Sequence, residues 1–139
     1  MNGVISFTLS QNRISPEGDT LGTTALANWL DSDIQGSKTQ IDFWIREFAS
    51  VKDGIRQSGC LGSGNSFSVM ATESLVLIQC DYADSEQVVV ATEQMNLVLQ
   101  AYMRFLNDGD CRPLPFEYIA EGASAEHIYE ELGGKFGGV

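Results

Sequence analysis

Three stretches of the sequence bring chemistry-bearing side chains close together. The first is Asp81-Tyr82-Ala83-Asp84-Ser85-Glu86, one aromatic among three acids, set between two apolar runs. Carboxylates at such a tip steer a basic protein toward it, and a tyrosine adds contact area once the two meet. Read plainly, the same composition is a solvated loop that keeps an acidic chain soluble. The second stretch starts at Asp31-Ser32-Asp33-Ile34-Gln35-Gly36 and reaches Asp42, with the spacing of the acids and central glycine of an EF-hand calcium loop. It departs from that pattern in three ways. Gln35 stands where an acid or Asn is usual, Lys38 replaces an apolar residue, and Asp42 is shorter than a bidentate Glu. A helix-connecting turn with a cap at Ser37 is the plainer reading. The third stretch, Gly59-Cys60-Leu61-Gly62-Ser63-Gly64, is as glycine-rich as a phosphate loop but has neither the GxGxxG nor the GK[ST] pattern. It reads as a loop between a helix and a strand.

A nucleophile with a base would need His127, the only histidine, and Cys111 is the nearest thiol in sequence. No local signature surrounds either, so a surface histidine and a packed cysteine account for both. The three cysteines, Cys60, Cys80 and Cys111, have no CxxC spacing and suit a reducing cytoplasm. Any pair of carboxylates can be picked from 19 acids, so picking one identifies nothing. The sequence therefore assigns no catalytic residue, no metal and no cofactor.

Charge distribution carries more information than these motifs. Lys plus Arg number 8 against 19 Asp plus Glu, a formal net charge of -11. Such a field repels phosphate backbones and anionic membranes and attracts basic proteins. Between Arg56 and Arg104 there is no Lys or Arg, so acids there lack local partners. The candidate partner-binding residues are Asp81, Tyr82, Asp84 and Glu86, joined in composition by Glu117, Tyr118, Glu126 and Glu130. The first residues have no basic segment leading into an apolar stretch, and no run approaches a membrane span, so a chain without export signal or membrane anchor is expected.

The elements that must position these residues follow from periodicity. Residues 3–9 alternate as a half-buried strand with Ile5, Phe7 and Leu9 on one face. Ser15-Pro16-Glu17-Gly18-Asp19 reads as a turn, and Thr23 as the cap of a short helix carrying Leu26, Trp29 and Leu30. A helix from Ser37 to about Ser58 has Ile41, Trp44, Ile45, Phe48 and Ile55 at helical spacing. Strands follow over 65–71, 75–80 and 87–91, the middle one apolar on both faces and so covered on both. Thr92 can cap a last long helix ending near Asn107–Gly109. The expected fold is α+β, a single two-layer domain over 1–109 in which an antiparallel sheet of about four strands packs with two amphipathic helices. Residues 110–139 are expected as an extended and helical appendage on that core, with a short helix from Ser124 to about Leu132 and fraying glycines at 133–138.

The run Gly64-Asn65-Ser66-Phe67-Ser68-Val69, the hairpin into Leu75-Val76-Leu77-Ile78, a third strand and the helix Glu93-Gln94-Met95 through Tyr102-Met103-Arg104-Phe105-Leu106 resemble the YacL-like family. Immunity proteins of bacterial contact-dependent growth inhibition systems include members of similar build, and Gly22 through Trp29-Leu30 is similar to a Gly and Trp-hydrophobic pair there. The resemblance covers about residues 3–107. It implies a non-enzymatic cytoplasmic inhibitor that binds the C-terminal toxin domain of a cognate effector, often a nuclease, and blocks its active site. A calcium-responsive module using Asp31 to Asp42 is the alternative reading, and a small hydrolase using Cys111 and His127 a third.

Overall fold

The computed structural model describes residues 1–137. Strand β1 (Asn2–Ser10) turns through Gln11 and Asn12, both with positive φ, into β2 (Arg13–Gly18). Two left-handed residues in a row match the twist of a tight hairpin. Then come α1 (Leu21–Trp29), a π-helical turn at Leu30–Ile34 and α2 (Lys38–Lys52). Strands β3 (Gly59–Ser63), β4 (Phe67–Ala71), β5 (Leu75–Cys80) and β6 (Gln87–Ala91) form a meander that leads into α3 (Thr92–Asp108). The chain ends with β7 (Leu114–Glu117), β8 (Ala120–Glu121), a 3-10 turn at Gly122–Ser124 and α4 (Ala125–Glu131). The fold is α+β with two antiparallel sheets, ordered β2-β1-β7 and β3-β4-β5-β6-β8. The expected four strands and two helices are thus only part of the molecule.

Helix α1 is wedged between the sheets, against β1 and β2 on one side and β5 and β6 on the other. Small residues make that approach possible. A β-carbon on Gly18 would run into the backbone of Thr23 and Thr24, and one on Gly22 into the Tyr118 ring. Gly22, Thr23, Ala25, Leu26, Ala27 and Trp29 are all buried. A helix buried nearly all round has little periodicity to show in its sequence. Its cap is Thr20, with Thr23 at the third helical position completing a capping box, so Thr23 is not itself the cap. Residues 15–18, expected as a turn, belong to β2; Pro16 is tolerated because β2 is an edge strand.

Helices α2 and α3 lie against one another and bury their apolar stripes. α2 stops at Lys52, short of Ser58, where Gly54 turns left-handed, and Ile55 is left 81% exposed. α3 is capped at Ala91 without a side-chain bond, and Thr92, the expected cap, is its buried first residue. Phe7 stacks on Tyr102 with ring centroids 5.1 Å apart, which ties β1 to α3. Gly59–Ser63, expected as a loop, is a strand with a bulge between Cys60 and Gly62.

Leu75, Val76, Leu77 and Ile78 are all buried, as an apolar strand inside a sheet requires. Val76 and Ile78 join Val69, Val88 and Val90 in the main core beneath α1 and α3, while Leu75, Leu77, Met70 and Val89 form a second core with Ala120, Ala125 and Tyr129. Helix α4 closes that second core. The large sheet therefore has helices on both faces, where two layers were expected. Residues 110–139 were expected as an appendage, but they supply an edge strand to each sheet, β7 beside β1 and β8 beside β6. Ser124 stands at the start of α4 without a side-chain capping bond. The terminal glycines up to Gly137 are not frayed: Gly134 N–H donates to Tyr129 O and Cys60 N–H to Gly137 O, each at 2.8 Å. Gly138 lies outside the described residues.

Gly18→Ala is expected to lower stability by about 2 kcal/mol by overpacking against α1, while Gly62→Ala, whose new methyl would meet only Trp44 at 3.6 Å, stays near wild type in the same denaturant titration. Burial pushes the Tyr129 hydroxyl up from 10.0 to about 12, against the lowering effect of its hydrogen bond with the Lys135 backbone. The fold thus favours neutral Tyr129, a contribution that is complete below pH 10.0 and lost as pH climbs through about 12. In a tyrosinate absorbance titration the last increment should appear near pH 12 together with loss of helical circular dichroism; complete ionisation near pH 10 in a folded protein would contradict it.

Candidate functional site

β5 and β6 pair as far as Gln79 with Gln87, which throws residues 81–86 out from one end of the large sheet. The loop is tied down from several sides. Asp81 N–H donates to Ser66 O at 2.8 Å, and Ser68 Oγ donates to Asp81 Oδ1 at 2.7 Å. Asn28 Nδ2, on α1, donates to Glu86 Oε1 at 2.8 Å, and Gln87 Nε2 to Asp84 O at 2.8 Å. Ala83 packs on the main core. Tyr82 is held outward by these bonds with 81% of its surface exposed, beside the exposed Asp84.

Helix α4 brings a fourth acid to the same end. Gln79 Nε2 donates to Glu126 Oε2 at 3.1 Å and lies 3.4 Å from Gln87 Oε1, which links Glu126 to the loop through two glutamines. Glu130 follows one turn along the exposed side of α4. Among the described residues no Lys or Arg forms an ion pair with Asp81, Asp84, Glu86, Glu126 or Glu130. Carboxylates left without a cation project their charge into solvent over about 8 Å at physiological salt.

Glu117 and Tyr118 do not join this cluster. Glu117 lies on β7, and its N–H donates to Gln94 Oε1 in the first turn of α3, at the opposite end of the sheet. Tyr118, expected at the surface, is only 4% exposed; its hydroxyl donates to Glu121 Oε1 at 2.7 Å and lies 2.9 Å from Thr20 Oγ1. Burial is the main cause that raises its pKa. The segment from β7 to β8 must cross between the two sheets, and that crossing carries Tyr118 inward. Asn28, Ser68 and Gln79, which hold the acidic loop, were not singled out from sequence. Asn28 and Glu86 are 58 residues apart, so no local pattern links them.

The carboxylates of the calcium-like stretch have separate tasks. Asp31 Oδ2 lies 3.3 Å from Arg13 Nη2. Asp33 accepts the backbone N–H groups of Ser66 at 3.0 Å and Phe67 at 3.1 Å, and the Ser32 hydroxyl at 2.9 Å. Asp42 is exposed on α2. Among the described residues no group of three His, Cys, Asp or Glu converges to hold a metal ion. The π-helical turn aims Asp33 at the β3–β4 turn, and Asn65 Nδ2 returns a bond to Ser32 O at 2.8 Å. Gly64 is needed where it stands, since a β-carbon there would strike the Asp33 carboxylate.

Cys111 is exposed at the rim of a groove of about 720 Å³ whose apolar wall includes Phe7, Leu9, Ile14, Phe105 and Leu106. His127 is on α4, its Nε2 2.8 Å from Glu131 Oε1, on the other face of the large sheet. The fold does not bring the two together as a nucleophile and base. No helix among the described residues is long and apolar enough to cross a membrane. No protein-family model matches the chain, and no curated protein or solved structure is significantly similar to it.

Asp33→Ala should cost about 2 kcal/mol, because two backbone N–H groups lose a charged acceptor. The exchange rates of the Ser66 and Phe67 amides should rise with it, and unchanged exchange at both would contradict the assignment of Asp33 as the anchor of that turn.

Proposed function

We propose that this protein is a non-enzymatic immunity protein that binds a basic toxin domain, of nuclease type, and occludes the surface on which that toxin takes its nucleic acid. The observation that carries the reading is the end of the large sheet: exposed Tyr82 on a loop fixed by hydrogen bonds, with Asp81, Asp84, Glu86 and Glu126 around it and none of them in an ion pair with Lys or Arg among the described residues. A toxin that binds nucleic acid needs a positive surface, and a negative one of fixed shape competes with phosphate for it. Because the loop is already ordered, little conformational entropy is lost on docking. Tyr82 supplies the apolar contact and the acids supply the speed of encounter. The resemblance to contact-dependent growth inhibition immunity proteins supports the same reading by a separate route, and it implies action in the cytoplasm.

The test uses the protein immobilised in lysate of its own cells at low and at high salt. A basic protein with nuclease activity, retained at low salt, released at high salt and inhibited by an equimolar amount of this chain, is the expected result. Tyr82→Ala is expected to weaken the captured complex about thirtyfold, the loss typical of a central aromatic. Asp84→Asn, which breaks no side-chain bond within the fold, is expected to slow association at low salt several-fold and leave dissociation unchanged. Capture that is indifferent to salt and to both substitutions would remove this end of the sheet from the interaction.

A further inference from the structure

β3 is an edge strand, paired with β4 on one side only. An open strand edge offers unpaired backbone groups to any other strand, and folded proteins cover such edges. Among the described residues, two groups cover this one. Arg56 Nη2, paired with Glu47, donates to Leu61 O at 3.0 Å. The Cys60 N–H donates to Gly137 O at 2.8 Å. The segment that carries Gly137 is built for its place. Gly133 turns left-handed at φ 92° to leave α4. Gly134 passes so close to the Tyr129 ring that a β-carbon has no room, and the same is true of Gly59 against Gly137. The buried Tyr129 hydroxyl donates to Lys135 O at 3.0 Å and lies 3.3 Å from Lys135 N. Phe136 meets the Tyr129 ring edge-on at 5.3 Å, and Phe136 and Cys60 are each half-buried against the second core.

We propose that Gly133–Gly137 is a releasable strap that closes the outer edge of β3 and gates the thiol of Cys60. Among the described residues the strap is held by one bond to the strand, a bond pair at one hydroxyl, the Gly133 bond to Glu130 O, the Gly134 bond to Tyr129 O and a single half-buried aromatic anchor. Against this stands the ordering entropy of a glycine-rich segment, which is larger than that of any other composition. Contacts of this kind open at a free energy well below that of global unfolding. Met70, Leu77 and Val89 stay beneath α4 when the strap lifts, so the opening is local and leaves the sheet intact. What it uncovers is the Cys60 sulfur, the Cys60 N–H and the flank of Tyr129. This device sits at an edge of the sheet remote in sequence from the 81–86 loop and does not rest on the reading given to that loop.

The three cysteines make the test internal to the full chain. Cys111 is exposed and reports reagent access; Cys80 is buried in the main core and reports global unfolding. With dithiobis-nitrobenzoate under native conditions, and sites assigned by mass spectrometry, Cys60 should react more slowly than Cys111 and faster than Cys80. Phe136→Ala should accelerate Cys60 about tenfold, the factor for losing a half-buried aromatic, with Cys111 and Cys80 unchanged; Gly134→Ala should do the same. Hydrogen exchange on the unmodified protein is the second measurement, with the Cys60 amide expected to exchange faster than the Val69 and Leu77 amides inside the sheet. A Cys60 rate that is unmoved by Phe136→Ala, or that rises only in step with Cys80, or a Cys60 amide exchanging no faster than those of Val69 and Leu77, overturns the proposal.

Discussion

The structure depends on a strand that is apolar on both sides. Leu75 to Ile78 cannot present either face to water, so the large sheet must be covered twice. α1 and α3 cover one face; α4, reached only after the chain has crossed from one sheet to the other, covers the second. The same requirement explains why the segment from β7 to α4 is part of the body. Without β8 and α4, Leu77, Met70 and Val89 would lie open as a contiguous apolar patch, which soluble proteins avoid.

A second constraint follows from the first. A helix that fits between two sheets has to be thin, and Gly18 below α1 with Gly22, Ala25 and Ala27 on it make it so. The π-helical turn that ends this helix reaches the β3–β4 turn through Asp33, and Asn28 on the helix reaches the β5–β6 loop through Glu86. The acidic end of the sheet is thereby fixed to the most deeply buried helix of the fold. Charge at the surface and packing in the interior are mechanically connected, which is what the proposed interaction surface needs.

Where periodicity is strong, the sequence reading agrees with the structure. β5 and β6 fall on the expected residues, and Ile41, Trp44 and Phe48 of the α2 stripe and most of the α3 stripe are buried, while Ile55 lies beyond the end of α2. It fails where local composition and tertiary context point in different directions. β2 contains Pro16 and Gly18 and looks like a turn; it is a strand because β1 supplies a partner and its outer side needs none. β3 contains two glycines and looks like a loop; it is a strand because Met70 and Val69 stand opposite. The calcium-like spacing of Asp31, Asp33 and Asp42 is a real pattern, but the π-helical turn and α2 point those carboxylates in different directions. Of the proposed contact residues, Asp81, Tyr82, Asp84, Glu86 and Glu126 assemble at one end, while Glu117 lies at the other and Tyr118 is in the core.

Sequence alone determined the acidity of the chain, the absence of bases between Arg56 and Arg104, the long helices and the doubly apolar strand. Each of these is a sum over neighbours along the chain. Only the tertiary structure decided that a histidine and a cysteine stay apart, that Tyr118 turns inward while Tyr82 turns outward, and that the segment up to Gly137 is docked on β3. Those outcomes depend on contacts between residues tens of positions apart, and no property of a local window contains the partner.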